Sequence, residues 1–129
     1  MKLRTRHNSI RLRLTQREVA LFLEEGVIAE QIDFGFPPGQ SFRYEVRTSS
    51  DAIGMSARFE NGCVSVLVPM AQARNWSLSD QVGIEGLQSI GDGTNLAILI
   101  EKDWACLKPR VGEDESDNYV HPLASTAMC

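Results

Sequence analysis

The chain has 129 residues, 43% hydrophobic and 23% charged, with a net charge of −4, a composition that suits one globular domain and excludes a disordered one. Its longest apolar run, Leu96 to Ile100, is far too short to span a bilayer, and the acidic balance argues against a general nucleic-acid binder. One domain over residues 1–129 is expected, with an irregular tail from about residue 105.

The basic N-terminus carries Lys2, Arg4, Arg6, Arg11, Arg13 and Arg17 with no acid among them. No apolar stretch follows it, so no signal peptide is expected. In "SIRLRL" the apolar Ile10, Leu12 and Leu14 alternate with Arg11 and Arg13, the period of a half-buried strand over 9–14. Thr15 and Glu18 then form a capping box, with Leu14 and Val19 as its apolar staple. Val19, Phe22 and Leu23 make one apolar face, and Gly26 closes a helix over 15–25. A strand is expected at about 27–34, broken by the turn residues of "FGFPPGQ". "SFRYEVRTS" alternates again, with Phe42, Tyr44 and Val46 on one face and Arg43, Glu45 and Arg47 on the other.

A strand over 52–60 leads into Asn61-Gly62, a two-residue hairpin turn. That turn pairs Phe59 with Val64, Ala57 with Val66, Met55 with Val68 and Ile53 with Met70, all apolar. Pro69 opens a short helix over 70–77. Strands at about 82–90 and 95–104 follow, joined by "GDGT". The unit beginning at Ile10 recurs in pattern from Val64, 54 positions on, so that Leu12, Leu14, Thr15 and Phe22 match Val66, Val68, Pro69 and Trp76. The expected fold is α+β: a bent antiparallel sheet or partly closed barrel of about seven to eight strands, with two short helices and a possible pseudo-duplication.

If these strands share one sheet, its polar face carries Arg4, Arg6, Arg11, Arg13, Arg43, Arg47 and Arg58, with Lys2 beside them. Arginine clusters grip phosphates and carboxylates through paired hydrogen bonds, so these seven are the candidate anion-binding residues. The plain alternative is the wet face of an antiparallel sheet. The three cysteines, Cys63, Cys106 and Cys129, form no metal-binding spacing, and reduced thiols in a cytoplasm are expected. A site drawn from Cys106 with His121 or Asp103 has no pattern behind it. "GEDESD" lacks the spacing of a calcium loop and reads as a solvated acidic segment.

The order strand, helix, three strands, read twice, is similar to the layout of the CYTH triphosphate tunnel enzymes. That likeness would imply basic residues inside a barrel and a magnesium or manganese ion, although the family's Glu-x-Glu-x-Lys strand is absent. "NSIRLRLTQREV", "IEKDWACLKPR" and "EDESDN" resemble a family of small bacterial proteins of unknown function, which implies a stand-alone bacterial protein and no particular activity. The expected function is a binding or interaction protein whose arginine-lined face suits a phosphorylated or other anionic ligand, with no cofactor and no membrane partner. The alternatives are a metal-dependent phosphohydrolase of the tunnel type, and a homo-oligomeric module in which the basic strand meets the acidic segment.

Overall fold

The computed structural model describes residues 1–103; the acidic segment, Cys106, His121 and Cys129 lie outside the described residues. Ten elements follow in order: β1 (Lys2–Thr5), β2 (Ser9–Leu14), α1 (Gln16–Glu25), β3 (Val27–Asp33), β4 (Ser41–Ser49), β5 (Ser56–Glu60), β6 (Cys63–Pro69), α2 (Met70–Leu78), β7 (Gly83–Gly91) and β8 (Thr94–Lys102). The fold is α+β, as its sequence pattern indicates.

Local chemistry explains the boundaries. Thr15 caps α1: its hydroxyl accepts from the Glu18 amide at 3.3 Å, and its own amide donates to the Glu18 carboxylate at 2.9 Å. Gly26 ends that helix with φ +80°, a conformation glycine adopts without a Cβ clash. Asn61 and Gly62 both have positive φ, as the two-residue hairpin requires. The paired apolar register expected there holds from Phe59–Val64 to Ala57–Val66, and the ladder stops at Ser56–Leu67. The pairs expected beyond it, Met55–Val68 and Ile53–Met70, do not form. The Ser49 hydroxyl accepts from the Asp51 and Ala52 amides instead, so the chain turns before Ser56 and Ile53 is 99% exposed.

The strands divide between two sheets instead of forming one. Sheet A has the order β1-β2-β8-β7 and sheet B the order β3-β4-β6-β5. Each sheet joins two antiparallel hairpins through one central parallel pair, β2 with β8 and β4 with β6. The two sheets are pseudo-symmetric. A shift of 54 positions carries the pairing Leu3–Leu12 onto Ala57–Val66, and Ser9–Ala97 onto Cys63–Arg43. Each ββαββ unit therefore gives its first hairpin to one sheet and its second to the other.

The core lies between the sheets. Leu12, Leu14, Val46, Val66, Val68, Ile98 and Ile100 point into it from the strands, and Phe22 and Trp76 from the helices. Each such side chain contributes about 1.5–3 kcal/mol on burial. The rings of Phe22 and Trp76 meet edge to face at 6.4 Å, and the indole N–H donates to the Val82 carbonyl at 3.1 Å.

Neither sheet closes into a barrel; side chains hold the edges together. At one seam the Gln88 amide of β7 takes the Ala57 N–H of β5 at 2.6 Å and donates to the Ala57 carbonyl at 3.0 Å. At the other, the Met1 ammonium donates to Glu18 and to Glu30 (3.0 Å), and the Tyr44 hydroxyl donates to the Met1 carbonyl at 3.2 Å. Burial alone would lower the Met1 ammonium, but the two carboxylates outweigh it and hold its pKa above the ordinary value.

Candidate functional site on the outer face of sheet A

Alternation sends the arginines outward, away from the core, and the two sheets send them in different directions. Arg4, Arg11 and Arg13 stand on the outer face of sheet A, with Lys2. Arg43, Arg47 and Arg58 stand on the outer face of sheet B. Arg6 lies in the exposed turn after β1. Six of the seven candidates thus divide between two separate surfaces, because the hairpins that carry them belong to different sheets.

On sheet B, Arg43 and Arg47 share a carboxylate of their own strand. Glu45 is 6% exposed and accepts from Arg43 Nε at 3.3 Å, Arg47 Nε at 3.1 Å and Ser65 Oγ at 3.1 Å. Burial alone would raise the Glu45 carboxyl, but the Arg47 and Ser65 hydrogen bonds and the Arg47 charge hold it below its ordinary range. Arg47 is raised in turn by Glu45. Arg58 lies in the same row as Ser65 and Glu45 and is exposed.

Sheet A is built differently. Lys2 faces Arg13 and Arg4 faces Arg11 across the β1–β2 hairpin, an opposition of like charges that is unfavourable in itself. The parallel register brings Glu101 beside Arg13, and Asp103 follows in the same file. Glu101 Oε1 lies 3.1 Å from Arg13 Nε and 3.5 Å from Arg11 Nε. Asp103 lies 3.2 Å from Lys2 Nζ and 3.9 Å from Arg13 Nη1. Lys2, Arg11 and Arg13 thus share two carboxylates. Beside them runs an open groove of about 500 Å³, lined by Ser9, Arg11, Glu85, Leu87, Ala97 and Leu99. Cations and groove together can hold an extended segment with acidic groups at one end and apolar groups at the other.

The groove residues Glu85, Leu87, Ala97 and Leu99 were not among the candidates the sequence suggests. The signal for them is "NLAILI", apolar on both faces of β8, as strands covered on both sides are. The tunnel-enzyme likeness stops at the order of elements, since the interior is apolar and the arginines face outward. Among the described residues, no three His, Cys, Asp or Glu side chains gather as a metal site, and no helix is long and apolar enough to cross a membrane.

Fold and face define a duplicated α+β module, two ββαββ units exchanging hairpins, with one cationic surface beside an apolar groove. The chain belongs to DUF7009, a family of unknown function whose model matches residues 1–123. No curated protein matches it, and no solved structure does.

Proposed function

We propose that this is a non-catalytic binding protein that holds an acidic, partly apolar protein segment on the outer face of sheet A. One observation carries the reading: like charges, Lys2 against Arg13 and Arg4 against Arg11, stand opposed beside the groove. Opposed cations cost stability; Glu101 and Asp103 offset part of that cost within the face, and an anionic partner on the exposed Lys2 and Arg11 side chains adds to that offset. Arginine supplies the paired donors that a carboxylate accepts. Arg4 and Arg11 hold the acidic groups, and Leu87, Ala97 and Leu99 receive apolar side chains. Arg43, Arg47 and Arg58 on the opposite surface are secondary, because Arg43 and Glu45 stand there where sheet A has the apolar Ala97 and Leu99.

The test is a titration of the chain with a labelled short poly-glutamate peptide, up to millimolar concentration, in about 50 mM and about 500 mM salt. Saturable binding at low salt that weakens at high salt is expected. Arg4→Gln/Arg11→Gln should weaken it at least about tenfold, while Arg43→Gln/Arg58→Gln leaves it nearly unchanged. Absent binding at low salt, or equal loss in both variants, overturns the reading. Inorganic triphosphate run in parallel separates a partner segment from a small phosphate ligand.

A further inference from the structure

We propose that Glu85 reads a second charge on the partner: the segment that crosses sheet A carries an acidic group, an apolar side chain and a basic group, set over Arg11, Leu99 and Glu85 in that order. The proposal rests on the binding reading above and names the chemistry of that segment.

Register places these three residues in one row. Arg11 of β2 stands beside Leu99 of β8, and Leu99 stands beside Glu85 of β7. All three turn away from the core, which their chain neighbours Leu12, Ile98, Ile100 and Ile84 fill, and all three line the groove. Strands lie about 4.8 Å apart, so the two opposite charges leave the backbone about 10 Å from each other, with an apolar side chain between them. Cross-strand ion pairs form between direct neighbours, as Arg13 and Glu101 do in the next outward row. The spacing of Arg11 and Glu85 is instead that of a row bridged by a ligand.

The row in sheet B shows that the backbone does not demand this arrangement. There Ser65, Glu45 and Ala29 run across β6, β4 and β3. The acid is at the centre and β3 contributes no charge. In sheet A the centre is apolar and the charges stand at its two sides.

The β7 side of the groove is built around Glu85. Of the outward residues of that strand, Gly83, Glu85, Leu87 and Ser89, Glu85 alone is charged. A Cβ on Gly83 would lie 3.2 Å from Leu99 Cδ1, so Leu99 reaches toward the glycine and the floor stays low beside Glu85. Leu87, 69% exposed, extends that floor beside Ala97. On the other side, Arg11 meets Glu101 through Nε at 3.5 Å, with its side chain 43% exposed. A guanidinium has five donors in a fork, so Arg11 can take a carboxylate of the partner while it keeps Glu101. In an extended segment, alternate side chains face the same way about 7 Å apart. Acid, apolar residue and base at positions i, i+2 and i+4 therefore cover the row, with the two charged side chains inclined inward.

The test titrates the full chain at about 50 mM salt, up to millimolar concentration, with three labelled peptides: poly-glutamate, and Glu-Ser-Leu-Ser-Glu and Glu-Ser-Leu-Ser-Lys with blocked ends. The wild type should bind the lysine peptide about fivefold more tightly than its all-acidic counterpart, the scale of one exposed repulsion exchanged for one attraction. Glu85→Gln should bring that ratio to one or below, and Glu85→Lys should invert it. Zero-length carbodiimide crosslinking with mass spectrometry should join the peptide lysine to Glu85. Equal affinities of the wild type for the two short peptides, a preference that survives Glu85→Gln, or links only to Glu101 or Asp103 overturn the inference; poly-glutamate binding then leaves the reading beneath it standing. Failure of all three peptides to bind overturns both.

Discussion

Replacing Glu45 by glutamine tests the ion network of sheet B. Glutamine keeps the side-chain volume and an acceptor for Ser65, and removes the charge that holds Arg43 and Arg47. Shielded charge-assisted hydrogen bonds are worth about 1.5–3 kcal/mol each. The two arginine side chains, however, are 42% and 47% exposed, so water screens them and about 0.2–1 kcal/mol per pair is the right scale. The expected loss is about 1 kcal/mol, or ~3–6 °C in melting temperature at neutral pH for a chain of this size. The sign of its pH dependence follows from the depressed carboxyl. The unfolded chain binds this proton near the ordinary value of 4.5 and the folded chain below it. The network's contribution is therefore complete above the unfolded value and is lost as pH falls through the folded one. Thermal unfolding of both proteins at about pH 7, 5.5 and 3.5 should show a constant gap at the upper two and a narrower gap at the lowest. About 1 M salt should narrow it too. A gap that stays the same at the lowest pH, or a variant as stable as the wild type at pH 7, would refute the assignment of Glu45 as the anchor of that face.

Gly62→Ala should destabilise by about 1–2 kcal/mol in urea, because φ is +73° and the new Cβ would sit 2.9 Å from the Ser41 carbonyl oxygen; a neutral change would contradict the turn. Gln88→Leu removes the amide that bridges to β5, so hydrogen exchange at the Ala57 N–H should accelerate at least about tenfold, and unchanged protection would show that the seam holds without it. Trp76→Phe keeps a ring against Phe22 but leaves the Val82 carbonyl without its donor, at a cost of about 1–3 kcal/mol by chemical denaturation; no loss would mean that water replaces the indole. Ala97→Arg/Leu99→Glu copies onto sheet A the charges that sheet B carries at Arg43 and Glu45, and should abolish poly-glutamate binding while shifting the melting temperature by only a few degrees. Retained binding would place the ligand elsewhere.

Much of each unit was legible because its cues are local. Thr15 and Glu18 announce the start of α1, Gly26 its end, and Asn61-Gly62 the register of the β5–β6 hairpin. The matched positions Leu12 and Val66, or Phe22 and Trp76, also exposed the duplication. The sheets were not legible. Alternation says which face of a strand is buried and nothing about which strand lies beside it. The parallel pairing of β2 with β8 brings Glu101 to Arg13 across nearly the whole described chain. For that reason the seven arginines read as one surface, and six of them prove to lie on two. Ile53 misled for a related reason: its alternation is right for a strand, but the Ser49 hydroxyl takes the amides that would have continued it.

The duplication itself separates what core packing fixes from what it leaves free. Inside, the shift of 54 positions exchanges one apolar residue for another: Leu12 for Val66, Leu14 for Val68, Val46 for Ile100, Phe22 for Trp76. Close packing enforces that, since a change of even one methylene is felt in a filled core. Outside, the same shift turns Arg11 into Ser65 and Arg13 into Leu67, and turns Arg43, Glu45 and Arg47 into Ala97, Leu99 and Glu101. Core packing cannot demand that difference, because neither outer face meets the core. Sheet B carries Arg43 and Arg47 on the strand that also carries their carboxylate, so that network closes on itself. Sheet A keeps its cations on the β1–β2 hairpin and leaves an apolar groove where sheet B has Arg43 and Glu45. The two faces had the same backbone to work with, and the side chains alone make them differ.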